Sequence, residues 1–354
     1  IEKVLSFFIA GFSLVHIILY IGQSHYPDFI KGYFNFLNNL FGGTSVIPPI
    51  ILGHNGYTRV IFINSIFILI GICIILRHIN SLKFYEYIFL GLEVVAILCT
   101  VTKSIWLGSI VGGVIFSIFY LLNVFKDKNF KKSLHFLIIL GFIIILTIVM
   151  NNTLFNNIIK VKSENYFTSS YTNRYKNKDL QKSADKSEDL QKSNDKNEEN
   201  YLREIDREGA IISNDIKIEQ TFKLISKWKE SPIFGHGYGS YIKDYKRSQE
   251  AVFSYEMQAP ALLMKIGVVG ICCWIFLIVS LIITIFKSSV GRKGKKRKFK
   301  NIEQLLAWLF LLFSYGITTQ TNPFLLSSIG MGLILYMILY CIDYSVNKKV
   351  KDEE

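Results

Sequence analysis

"VLSFFIAGFSLVHIILYIG", residues 4–22, runs for nineteen residues without a formal charge. As a helix rising about 1.5 Å per residue, such a run matches a bilayer hydrocarbon core of about 30 Å. Comparable runs lie at about 60–76, 84–101, 104–123, 134–151, 261–286, 303–320 and 324–342. The 354-residue chain is 51% hydrophobic with 28 Phe, and its mean hydropathy is +0.33. The expectation is an all-α, polytopic transmembrane helix bundle of about eight spans with one large extracytoplasmic loop. The first run has span length and no small-residue cleavage pattern, so no cleavable signal peptide is expected, and Ile1 in place of Met points to a processed or truncated chain.

Basic residues alternate between the loops. The first tail, the 77–83 turn, the 124–133 and 287–301 loops and the C-terminal tail carry most of them, eight in "KSSVGRKGKKRKFK" alone. The other short loops offer Lys31, Arg59 and Lys103. Counting positive charge inside places both termini in the cytoplasm of a cell-membrane protein, and residues 152–260 outside. The net charge of +13 then reflects topology and contact with acidic membrane lipids. Nucleic-acid binding would call for basic residues interleaved with aromatics, and the 287–301 run offers only Phe299. All five cysteines fall in apolar runs, and neither CxxC nor HxxxH spacing occurs, so neither a disulfide framework nor a metal is expected.

This arrangement divides the chain into spans one to five (1–151), the loop (152–260), spans six to eight (261–342) and a cytoplasmic tail (343–354). Within the loop, "DLQKSADKSE" is followed by "DLQKSNDKNE"; a polar repeat of this kind has no apolar face to bury, so 163–200 reads as a flexible spacer or solvated helix. Residues 214–229 carry Ile218, Phe222 and Ile225 at helical spacing, with Leu224 and Trp228 alongside, and the helix stops before Pro232. Two placements fit: on the outer membrane–water interface, or packed on the bundle. It leads into "SPIFGHGYGSY", residues 231–241. Three alternating glycines allow close backbone approach to a phosphate, but no GK[ST] follows and no cytosolic nucleotide reaches that side. A phosphate met there belongs to a lipid.

Arg207, the loop helix, "PIFGHGYGSY" and "YEMQAPALLMKIGVVG" follow one another in an order that resembles the O-antigen ligase and polysaccharide polymerase family. "TVTKSIWLG", residues 100–108, is similar to the family's T-x-S-R-like stretch, with Lys103 where Arg is usual. "TQTNPFLLSSIGMG", residues 319–332, resembles its last outer turn. The resemblance covers most of the chain through short motifs. It implies glycosyl transfer on the outer membrane face from an undecaprenyl-diphosphate-linked oligosaccharide to a glycan acceptor, beside other polysaccharide-assembly proteins and without cofactor or metal. A polymerase is preferred to a ligase. The family's His-Asn pair, a dozen residues before the glycine at Gly267, is replaced here by Glu256, and Lys265 stands where Glu is usual.

Under that implication, outer-side cations and backbone N–H groups would hold the diphosphate as charge develops on it. Arg207, Arg59, Lys103 and Lys265 are the candidate cations, and Gly235, Gly237, Tyr238 and Gly239 form the turn. Glu256 or His236 would take the acceptor proton. Each also has a plainer reading. Arg207 could be a solvated ion pair in "REIDREGA", Arg59 and Lys103 interfacial anchors, Glu256 a helix cap and His236 a turn residue. Glu93, inside a span, either pairs with a donor on another span or marks a transporter or flippase of lipid-linked sugars.

Overall fold

The computed structural model describes residues 2–26, 28–30, 32, 50–52, 58–60, 63–126, 128–155, 215–245, 255–293, 296–299, 302–320, 331–332 and 334–340. Helix dominates these residues: α1 (Glu2–His25), α2 (Ile68–Leu76) behind a 3₁₀ turn (Ile63–Phe67), α3 (Phe84–Cys99), α4 (Lys103–Lys126) and α5 (Phe130–Thr153). Then come α6 (residues 215–228), α7 (Gln258–Ser289), α8 (Ile302–Thr318) and α9 (residues 334–340). Two short antiparallel hairpins, which the hydropathy gave no sign of, join β1 (Ile50–Leu52) to β2 (Thr58–Val60) and β3 (Val290–Lys293) to β4 (Lys296–Phe299). The spacer at 163–200 and Arg207 lie outside the described residues.

Among the described residues, four helices are long and apolar enough to cross a membrane: Glu2–Gln23, Lys103–Lys126, Phe130–Thr153 and Gln258–Lys287. The expected second and seventh spans are shorter, as Ser65–Leu76 and Ile302–Thr318. Packing explains the difference. Every residue of α2 is buried, so that helix is surrounded by protein, and α8 buries nine side chains from Leu305 to Thr318 while leaving Phe313 exposed. The long helices turn Phe119, Leu122, Ile138, Ile145 and Phe276 outward, an apolar exterior that suits lipid and not water.

The closest crossing joins α4 to α8. A β-carbon on Gly108 would lie 2.5 Å from the Ser314 carbonyl oxygen, and one on Gly112 would lie 2.8 Å from that of Phe310. Glycines one turn apart therefore bring the two backbones together, as small residues do between membrane helices. The Thr318 hydroxyl donates within its own helix to the Ser314 carbonyl (2.7 Å) and reaches the Ser104 carbonyl across the seam at the longer distance of 3.3 Å.

Two polar groups sit deep among α1, α2 and α3. The His16 ring donates from Nδ1 to the Phe12 carbonyl at 3.0 Å, so Nε2 accepts from the Ser65 hydroxyl at 2.8 Å. Glu93 is fully buried, with neither carboxyl oxygen hydrogen-bonded, and fills the space a side chain at Gly71 would need. The donor expected for it on another span is therefore absent among the described residues.

The bundle has two distinct ends. At one, Arg77 pairs with Glu2, Asn80 and Lys132 meet Glu303, and the Tyr120 hydroxyl donates to Asn80. At the other, Tyr20, Val60, Cys99, Val101 and Phe155 cluster beneath β2 and the start of α4. The loops grouped by charge in the sequence thus share an end.

Candidate functional site

The site is built where α6 rests on the beginning of α7, at the end of the bundle that carries Lys103. Gln220 and Leu224 of α6 are fully buried, and Leu224 packs with Tyr255, Ala261 and Met264 under the edge of Trp228. Ile218 and Phe222, the stripe that reads as the apolar face in sequence, point outward at 50% and 70% exposure. The helix is thus packed on the bundle through one face and keeps a second apolar face free. Of the two placements considered for it, the structure shows the packing on the bundle.

The glycine turn has a role that no ligand is needed to explain. α7 is broken at Gly267, whose φ of 61° and ψ of −169° leave the helix, so its local i→i−4 hydrogen bonds are lost. Residues 232–237 replace them. The amides of His236 and Gly237 donate to the carbonyls of Met264 (2.9 Å) and Lys265 (2.8 Å), and those of Val268 and Val269 donate to Pro232 (3.0 Å) and Ile233 (3.1 Å). Such close pairing demands glycine on both sides. A β-carbon on Gly235 (φ 71°) would lie 2.5 Å from the Lys265 carbonyl, and one on Gly267 would lie 2.5 Å from the Gly235 nitrogen.

This corrects one expectation. The amide of Gly235 donates to the Ser231 carbonyl, and those of His236 and Gly237 to α7, so these groups are not presented to a phosphate. Of the five turn amides, 235–239, those of Tyr238 and Gly239 have no acceptor among the described residues. Gly237 has a φ of 92° but open space around its α-carbon, and the Tyr238 ring is exposed.

Glu256 stands just before α7. Its carboxylate lies 3.9 Å from the Lys217 ammonium, and both side chains are about one-quarter exposed (25% and 29%). The next amide, Met257, donates to the Gln220 side chain at 2.9 Å, and Gln258 donates from its side chain to the Tyr255 carbonyl at 2.6 Å. Each buried glutamine has one amide atom left without a hydrogen bond, Nε2 of Gln220 and Oε1 of Gln258. The Tyr255 hydroxyl accepts from the Ile242 amide at 2.7 Å, and burial raises its pKa, which keeps the phenol neutral.

The His236 ring faces the Lys227 carbonyl through Nε2 at 2.7 Å, so that nitrogen is the donor and Nδ1 is the basic position left. The neighbouring Lys227 hydrogen bond holds the exposed Glu230 carboxyl below the usual carboxylate range. His236 is anchored above Met264, and about 9 Å of helix separates Met264 from Gln258. Glu256 and His236 therefore occupy opposite ends of the first segment of α7. Lys265 is only 5% exposed, and its backbone carbonyl serves Gly237.

Lys103 opens α4 on the exposed side. Ser104 is linked to Thr318, and the Gln320 carbonyl accepts from the Gln258 amide at 3.3 Å, so the beginnings of α4 and α7 meet the end of α8. Arg59 lies on β2 opposite Ile51, and its neighbour Val60 packs with Val101 at this same end. Among the described residues, no group of three His, Cys, Asp or Glu could hold a metal ion. Lys217, Gln220, Gln258 and Gln320 are polar residues that the sequence did not single out. The Lys217, Gln220, Leu224 spacing marks a helix face, but a glutamine and a lysine on it read as solvated until the partner surface is known.

No protein-family model matches the chain, and neither curated proteins nor solved structures yield a match.

Proposed function

We propose that the chain is a membrane glycosyltransferase that lengthens or attaches lipid-linked oligosaccharide units at the outer face of the cytoplasmic membrane, acting as a polymerase and without a metal. The observation that carries this reading is the pairing of a charged edge with an apolar margin. Lys103, Lys217 and Glu256 gather at one end of the bundle, beside the exposed Ile218, Phe222, Ile233 and Phe234. A substrate with a diphosphate head and a polyprenyl tail has those two needs together.

In the reaction, an acceptor hydroxyl attacks the anomeric carbon of the donor sugar. The bond from that carbon to the diphosphate oxygen breaks, and its electron pair leaves with the diphosphate. The hydroxyl proton passes to a base, for which Glu256 is the first choice, since its carboxylate stands at this edge, 3.9 Å from the Lys217 ammonium. His236 Nδ1 is the alternative. Lys103 and Arg59, with Arg207 from the rest of the loop, supply the positive charge for the leaving diphosphate. With three turn amides engaged inside the protein, this clamp rests on side chains and on the amides of Tyr238 and Gly239. The direct test is incubation of purified protein with undecaprenyl-diphosphate-linked oligosaccharide in the presence of a chelator. Chain lengthening supports the proposal, and lengthening only on adding a divalent metal would refute its metal-free form.

Glu93 favours a second reading. A buried carboxyl without a hydrogen-bond partner among the described residues is what a proton-coupled transporter or flippase of lipid-linked sugars would place in its bundle. Sugar–lipid flipping in proteoliposomes that is lost in Glu93→Gln, without any lengthening of glycan, would favour it over transfer.

A further inference from the structure

The opposite end of the bundle, roughly 35 Å away along α1, carries a separate cavity of about 250 Å³. It lies between the start of α1, the turn after α2 and the start of α3. Lys3, Ser6, His78, Ser81, Lys83 and Tyr85 contribute to its wall. Of its two acids, Glu2 is offset by Arg77, while Glu86 accepts the Lys83 amide at 2.6 Å and keeps its charge. The side chains of Lys3 and His78 have no partner among the described residues, and the Lys83 ammonium lies 6.0 Å from the Tyr85 ring centre. With Glu86 set against one of the two lysines, one positive charge is left over in a hollow that also offers three hydroxyls, those of Ser6, Ser81 and Tyr85.

Its margin is apolar. Phe7 lines it at 56% exposure, Phe84, between the wall residues Lys83 and Tyr85 in the chain, is 82% exposed, and Val4 and Phe8 continue the outward surface along α1. An occupant must therefore bring an anionic head to the lysines and hydrocarbon to the phenylalanines. We propose that this cavity binds the phosphate headgroup of an anionic membrane phospholipid, with its acyl chains lying along Phe7 and Phe84. Basic pockets between membrane helices on the side facing anionic lipid have this chemistry. The inference needs only that the bundle is membrane-embedded, and it stands or falls apart from the transfer reaction at the other end.

The test is native mass spectrometry of the delipidated full chain offered equal amounts of phosphatidylglycerol and phosphatidylcholine with identical acyl chains. Retention of phosphatidylglycerol should exceed that of phosphatidylcholine by about tenfold or more. The preference should fall to near parity in a Lys3→Gln, His78→Gln, Lys83→Gln variant, and persist in Lys126→Gln, Lys131→Gln, which removes two lysines elsewhere on the rim. Should the triple variant fail to insert, Lys3→Gln and Lys83→Gln alone carry the test, each lowering the preference severalfold. Equal retention of both lipids by the unmodified protein would overturn the proposal, as would an undiminished preference in these variants. Displacement of bound phosphatidylglycerol by inorganic phosphate alone would also overturn it, since the site would then recognise free phosphate and not a lipid.

Discussion

Gly235, Gly237 and Gly239 look interchangeable in the sequence, yet the structure gives them different tasks. Gly235 and Gly267 combine a positive φ with a backbone packed against the missing side chain, whereas Gly237 has only the positive φ. Alanine at Gly235 or Gly267 should therefore cost about 2 kcal/mol or more, through strain and lost pairing, and at Gly237 about 1 kcal/mol. Thermal unfolding in detergent reads the order, and a Gly237→Ala loss as large as that of Gly235→Ala would contradict it. Nothing near Gly267 in sequence discloses this role, because its partners lie about thirty residues earlier and act through backbone atoms. Glu256 and His236 are legible in the sequence as titratable groups near the glycine turn; the Lys217 partner of one and the Lys227 carbonyl that holds the other are not.

Elements divide in the same way. The apolar run at 4–22 lies within α1 and the run at 134–151 within α5, since 19 and 18 uncharged, mainly apolar residues leave a chain few alternatives to a buried or lipid-facing helix. The run at 60–76 is instead split between β2, a 3₁₀ turn and the nine-residue α2, a helix wholly enclosed by its neighbours. Hydropathy says which residues leave water, not whether lipid or protein receives them. The α4–α8 crossing makes that distinction measurable. Gly112→Ala should force the helices apart at a cost of about 1–3 kcal/mol, while Gly113→Ala, with open space at its β-position, should be neutral or slightly stabilising. Equal effects of the two substitutions on the unfolding midpoint would remove the close crossing from the account.

For the whole molecule, the starts of α1, α5 and α8 and the turn after α2 share one end of the bundle, and the proposed sidedness rests on counting positive charge inside. A cysteine placed at Ser240 should be labelled from outside intact cells by an impermeant reagent, and one at Ser289 should not. The reverse pattern would put the proposed site in the cytoplasm, away from any outer-face donor. With that orientation, the central claim is that the Lys217–Glu256 edge performs glycosyl transfer. Its most direct measurement is product chain length and initial rate from purified protein and undecaprenyl-diphosphate-linked oligosaccharide, comparing unmodified protein with Glu256→Gln. Removing the base should lower the rate by about 100-fold or more while the donor still binds. Near-normal lengthening by Glu256→Gln, with His236→Ala equally active, would contradict the account.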